Sequence, residues 1–192
     1  MKSALTFLIA YLLFHSPDST VEKWIIAKDS SLRIEGSTNV NTFNCSVKKY
    51  LHADTLSFSK NNSNENEYAV KGEIIINSNE FDCKKKYMNG DLKKTLKADE
   101  SPYLSIKLMT ISNFINTSQP VRGTVSICLA GVKKNIDVNY TVTKAPCGKL
   151  FLDGKCNVLF SDFGLNPPRK LSGLIKVNQQ INVSFLLILV KA

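Results

Sequence analysis

The closing stretch of the chain, SDFGLNPPRKLSGLIKVNQQINVSFLLILV (161–190), restricts its fold more than any other. It opens on a turn at Asp162, Phe163 and Gly164, stops at Pro167 and Pro168, re-enters at Gly173 and ends in a long strand. Ile181, Val183, Phe185, Leu187 and Leu189 fall on one face of that strand, Leu186, Ile188 and Val190 on the other. A strand that is apolar on both faces needs cover on each side. It either closes a barrel whose outside is also covered, here by the segment around Trp24–Ile26 or by a subunit partner, or it lies in a membrane.

The preceding chain carries the same period of two. Residues 23–27 and 31–36 read as short strands broken at Asp29 and Ser30. A polar bend, 37–41, leads to Phe43 and Cys45, and 50–60 is a weaker strand ending in the solvated loop NNSNEN (61–66). Residues 68–77 form one strand with Val70, Ile74 and Ile76 inward. The period then changes: Met88, Leu92 and Leu96 recur every four residues among lysines, so 84–98 is an amphipathic helix. Thereafter Leu104, Ile106 and Leu108, then Ile127 and Leu129, then Ile136 and Val138, then Leu150, Leu152, Val158 and Phe160 mark further strands joined by turns at Gly131 and at 146–148. The chain is all-β with one inserted helix, about eight antiparallel strands arranged as a sandwich or an up-and-down barrel. A membrane barrel requires apolar outward faces. Here those faces carry Lys71, Glu73, Lys107, Arg122, Lys133 and Asp137, and meet water.

Lys2 followed by the apolar run 4–14 has the form of an export signal, too short to span a bilayer. Residues 1–20 are therefore expected to be a signal peptide and 21–192 a single domain in the periplasm or outside the cell. Residues 1–20 hold one charge of each sign, so the remainder keeps the formal net charge of +9. That charge favours anionic partners such as head groups and cell-envelope surfaces. The lysines are scattered, without an arginine-rich arm or stacking aromatics, which argues against nucleic acid. The five cysteines, in an oxidising compartment, make disulfides expected and leave an odd thiol. No CxxC occurs and His52 is the one histidine after residue 20, so neither a metal nor another cofactor is called for. His52 lies in a polar strand, Ser161–Asp162 lacks the GxSxG setting of a nucleophile, and no glycine-rich phosphate loop appears, so catalysis is not expected. Asp162 is expected to accept backbone hydrogen bonds in its turn. Five Asn-x-Ser/Thr sequons, such as Asn44-Cys45-Ser46, are read as chance occurrences.

Four segments together resemble the YceI-like family: LRIEGSTNVNTFNC (32–45), EFDCKKKYMNGDLKKTLKADESPYLSIKL (80–108), VRGTVSICLAG (121–131) and LDGKCNVLFSDFGLNPPRKLSGLIKVNQQINVSFLLIL (152–189). Helix, proline and strand, followed later by SDFG, PP and a final hydrophobic strand, is the family's order. The resemblance implies an exported protein with an eight-stranded lipocalin-like barrel that holds a polyisoprenoid or another long-chain lipid. The start, KDSSLRIEGSTNV, is similar to that of a cysteine-containing branch of the family.

Cys45 and Cys83 each follow a phenylalanine by two positions (FNC, FDC), and they are expected to pair. Cys147 and Cys156, flanking a hairpin, are a second candidate pair, with Cys128 left as a free strand-borne thiol. The candidate lipid lining is Ile74, Ile76, Leu104, Ile106, Leu108, Ile127, Leu129, Ile136, Val138 and Phe160, with Met88, Leu92, Leu96 and Phe163 at the mouth. Two functions fit. One is a non-enzymatic lipid-binding protein that sequesters or carries an apolar chain, in peripheral contact with a membrane, alone or as a homodimer. The other is a cell-envelope scaffold whose barrel is filled by its own side chains.

Overall fold

The computed structural model describes residues 21–114 and 120–192; the expected signal segment, 1–20, lies outside the described residues. The strands are β1 (Glu22–Ile26), β2 (Ser31–Ser37), β3 (Thr42–Val47), β4 (Thr55–Asn61), β5 (Asn64–Lys71), β6 (Glu73–Asn77), β7 (Tyr103–Ser112), β8 (Val121–Leu129), β9 (Val132–Lys144), β10 (Leu150–Leu159), β11 (Arg169–Lys170), β12 (Ile175–Lys176) and β13 (Gln180–Lys191). The helix α1 spans Lys86–Thr95 between β6 and β7. An antiparallel ring runs β1–β4–β5–β7–β8–β9–β10–β13 and closes on itself where Trp24–Ile26 pair with Lys191–Leu189. The ring has the expected eight strands.

Two strands are broken, and the breaks divide the barrel into two tiers. At Asp29–Ser30 the chain leaves β1, which pairs with the end of β13, and continues as β2, which pairs with its middle. The Ser30 hydroxyl accepts the Ile188 N–H at 2.9 Å, and Ala27 donates to the Ile188 carbonyl at 2.8 Å. Those bonds satisfy the β13 backbone where its partner changes. The second break corrects the single strand expected over 68–77. At Gly72 the chain turns with φ 148°, and a side chain there would run into Leu56 and the Thr55 carbonyl. Only glycine fits so close an approach. Before the break β5 pairs with β4 and with the end of β7; after it β6 pairs with the start of β7.

At one end, called here the sealed end, β1, β4 and β5 complete the ring. At the other, the helix end, β2 and β3 fold over, and Ser46 and Asp82 exchange two backbone hydrogen bonds of 3.0 Å. The Cys45–Cys83 disulfide lies beside that bridge, as expected, and α1 follows directly. The other expected pair is corrected: Cys147 and Cys156 are both free thiols, as is Cys128. Cys147 is exposed in the β9–β10 turn, whereas Cys156 is buried on the inner face of β10. At about 3.3 Å per residue along an extended strand they lie far beyond the roughly 7 Å that a disulfide spans.

The outer apolar stripe on β13 also departs from expectation. The Trp24–Ile26 segment does not cover it; β1 pairs edge to edge, so Ile25 stands beside Val190 and extends the stripe. Both are open to solvent, at 37% and 38% exposure. Elsewhere the outer surface mixes charged side chains, Glu73 and Lys107 forming a cross-strand pair at 3.5 Å, with isolated exposed apolar ones such as Ile75, Tyr103 and Met109. No helix among the described residues is long and apolar enough to cross a membrane.

Candidate functional site: an apolar interior that opens beneath the helix

The barrel is solid at one end and hollow at the other. Ile26, Leu56, Ile111, Val125, Val138, Leu150, Leu152 and Leu189, all essentially without exposure, fill the sealed end and its approach. Above them Tyr140 stacks edge-on to Phe185, ring centroids 5.8 Å apart, and Gly154 makes room for the Phe185 ring, which a side chain at that position would strike. This aromatic floor separates the filled half from two apolar spaces. The inner one, about 20 Å³, is lined by Leu32, Tyr50, Ile74, Ile76, Ile106, Leu108, Phe185 and Leu187, with Ser30 and Val47. The next, about 100 Å³, has an entirely apolar lining that includes Leu32, Ile34, Phe43, Phe81, Leu104, Ile106, Ile127, Leu129, Phe163 and Ile181. Leu32 and Ile106 line both, so the spaces lie end to end.

Phe43, Leu92 and Phe160 line the larger space and also a cleft of about 220 Å³ outside it, between α1, β3 and the β11–β12 hairpin. These three side chains form the threshold between interior and surface. Local structure places each of them. Phe43 points inward on β3 because the alternation carries Cys45 and Val47 the same way. Leu92 faces the barrel from α1, with Met88 one turn earlier and Leu96 one turn later; Leu96 is buried, the other two half-buried. Phe160 opens a short 3₁₀ turn held by the Asp162 carboxylate, which accepts the Leu159 N–H at 2.9 Å, the role expected of Asp162. Gly164 ends that turn in the left-handed region, φ 62°.

Polar groups stand outside this apolar path or are kept neutral. The outer cleft carries Lys85, Asp91 and Lys170, and Lys170 Nζ donates to Asp91 Oδ1 at 2.6 Å. Lys85 Nζ lies 6.0 Å from the centre of the Tyr87 ring. Within the barrel, the Tyr50 hydroxyl donates to the Asp54 carboxylate and accepts the Ile75 N–H at 3.3 Å. Burial, then the hydrogen bond to Asp54, push that phenol above its ordinary value. Burial does the same to Tyr140, whose hydroxyl has no partner among the described residues. His52 is exposed in the loop before β4, not in a strand, its ring tilted against that of Tyr50 with centroids 5.5 Å apart. Among the described residues no three histidine, cysteine or carboxylate side chains gather in a group that could hold a metal. Among the described residues the arrangement is an apolar interior with its charged side chains outside, at the cleft.

Of the sequence-derived lining, Ile74, Ile76, Leu104, Ile106, Leu108, Ile127, Leu129, Leu96, Leu92, Phe160 and Phe163 line one or other inner space, and Met88 lines the outer cleft. Val138 and Ile136 line neither inner space. Val138 belongs to the filled end, and Ile136 pairs with Val125 beside it. Leu32, Phe43, Phe81 and Ile181 also line these spaces, beyond the sequence-derived set. Their inward alternation was visible, yet nothing in it distinguishes a residue facing a void from one facing another side chain.

The fold can be set beside known proteins. The YceI-like domain model matches residues 24–188. A crystal structure of BcnA from Burkholderia cenocepacia is similar, with a TM-score of 0.62 and 16% identity over 83% of this chain and 95% of that one. A polyisoprenoid-binding domain from Saccharophagus degradans, implicated in plant cell wall breakdown, has a TM-score of 0.63 and 14% identity over 90% of this chain and 100% of that one. At such identities the likeness is one of fold. A search of curated sequences found no match. The domain match over nearly all the described residues, with the helix inserted before β7 and the turn-and-strand ending that the sequence led us to expect, makes this chain a member of the YceI-like family.

Proposed function

We propose that this protein is an exported, non-enzymatic lipid-binding protein that takes an apolar chain, isoprenoid or fatty-acyl, tail-first into the helix end of its barrel. The observation that carries the reading is the wholly apolar space whose way out lies past Phe43, Leu92 and Phe160. Membership of the YceI-like family supports it, and so does the ligand of the Saccharophagus degradans domain. The Cys45–Cys83 disulfide and the Lys2-plus-apolar-run start support export.

Energetics explain why a tail dominates. Burying one methylene is worth about 0.8 kcal/mol, so a five-carbon prenyl unit contributes roughly 4 kcal/mol before losses. An exposed lysine–phosphate pair adds only about 0–1 kcal/mol. The larger inner space is of the order of an engineered cavity of about 150 Å³ that takes up benzene. A longer tail therefore enters by displacing the threshold side chains, with the lysines near α1 outside to meet an anionic head.

The test is native mass spectrometry of the purified protein before and after organic extraction, followed by titration with a polyprenol and a fatty acid. A co-purifying or rebinding chain is expected. Ile127→Trp, which fills the larger space, is expected to abolish uptake while leaving the far-ultraviolet circular dichroism unchanged. A lipid-free wild type that takes up neither chain overturns the reading and leaves a scaffold module.

A further inference from the structure

The rim of the mouth has a composition that its interior does not explain. Leu171 and Leu174, at 67% and 74% exposure, are the most exposed large apolar side chains among the described residues. Val40, at 63%, and Tyr87, at 64%, stand on the same rim. Hydrogen bonds join these positions. The Asn39 side chain donates to the Leu174 carbonyl at 2.8 Å and accepts the Lys176 N–H at 2.9 Å, tying the Val40 bend to the β11–β12 hairpin. The Lys170–Asp91 bond ties the hairpin's other strand to α1, which carries Tyr87.

The hairpin tip is held in an unusual backbone. Leu171, Ser172 and Gly173 have φ of 51°, 54° and 93°, three successive residues in the left-handed region. For leucine and serine this is a strained conformation, kept where the surroundings demand it and common at ligand clamps and switches. The exposed charges of the hairpin, Arg169, Lys170 and Lys176, are all positive, and Lys85 lines the cleft beside it; Lys84 and Lys86 flank Lys85 in the chain, with exposed Asp82 just before them. The carboxylate in the cleft, Asp91, is engaged by Lys170.

We propose that this rim docks on an anionic lipid bilayer, Leu171 and Leu174 entering the head-group region and the surrounding cations meeting phosphates, with the cavity mouth turned to the membrane. Apolar side chains projecting from a basic surround are the pattern of interfacial membrane binding, whose strength combines buried apolar area with attraction to anionic lipid. A protein-binding surface differs: its core is depleted of lysine. The +9 net charge of the chain has the matching sign. The proposal rests on the lipid-binding reading for its purpose, since docking gives a chain a path from bilayer to cavity without crossing water.

Flotation with vesicles of phosphatidylcholine alone and of phosphatidylcholine with phosphatidylglycerol tests docking without any cavity ligand. Wild type is expected to float with the anionic vesicles and to release at high salt. Leu171→Ser with Leu174→Ser, and separately Arg169→Glu with Lys176→Glu, are expected to lower partitioning about tenfold or more. Leu51→Ser, at an exposed leucine in the loop before β4 and away from the hairpin, is expected to leave it unchanged. Uptake of a fluorescent fatty acid is then compared by two routes, from anionic vesicles and from monomer added in ethanol. The leucine double variant is expected to lose the first and keep the second. Wild type that does not float, or a leucine variant that floats and loads from vesicles as well as wild type, overturns docking. Floating without uptake by either route upholds docking and overturns the lipid-binding reading instead.

Discussion

Ser30 is the single buried hydroxyl on which the change of partner along β13 depends: its oxygen takes the Ile188 N–H where β1 has ended and β2 has not begun. Ser30→Ala leaves that amide buried without a partner, and is expected to lower stability by about 1–3 kcal/mol in urea denaturation. Cys156 makes a different prediction. Burial pushes its thiol up to about 11 from an ordinary 9.0. The unfolded chain therefore gives up this proton at lower pH than the native one. The stabilisation is complete below pH 9 and is lost as pH rises through 11. Burial of Tyr140 and Tyr50 acts in the same direction at higher pH. The urea midpoint is expected to fall across pH 9–11, with a shallower slope in Cys156→Ala. The sequence suggests that Cys147 and Cys156 flank a hairpin; in the structure Cys147 lies in the β9–β10 turn and Cys156 well along β10. What the sequence concealed was the length of strand between Cys156 and the turn that holds Cys147.

At the level of elements, the disulfide does the work that strand pairing does elsewhere. The sealed end closes through β1 and β4, whereas at the helix end β3 is joined to the segment before α1 by the Ser46–Asp82 bonds and the Cys45–Cys83 link. The bridged residues are 38 apart in sequence. A loop of that length corresponds to about 3–4 kcal/mol in the chain-entropy model. Reduction, or Cys45→Ser with Cys83→Ser, is expected to lower Tm accordingly, and to speed amide exchange in α1 before exchange in β1 and β4. Equal acceleration in α1 and β4 would show that the bond stabilises the fold globally and has no special hold on the mouth. The shared FNC and FDC contexts revealed this pair in the sequence. The division of residues 68–77 at Gly72 stayed hidden, because the glycine is required by the approach of Leu56 and Thr55 from a strand more than ten positions away in the chain.

The whole molecule is a barrel with unequal halves, one packed by aliphatic side chains and one holding apolar space under a helix. Packed regions open least readily. Native-state hydrogen exchange is therefore expected to rank β4 and the end of β13 as most protected, and α1 with the β11–β12 hairpin as least. Added lipid is expected to slow the helix end selectively; uniform slowing would place the ligand elsewhere. Much of this fold was written in the sequence. A period of two, interrupted once by a period of four, dictates antiparallel strands with one helix and decides which side chain of each pair faces inward, because pleat and helical pitch are local geometry. The same geometry made the doubly apolar β13 the natural seam, and both β1 and β2 do join it there. Only the tertiary structure decided which inward residues meet a neighbour and which meet a void. That outcome depends on summed side-chain volumes across strands distant in sequence: Val138 falls among the close-packed aliphatics, while Ile127, alike in its sequence pattern, faces open space.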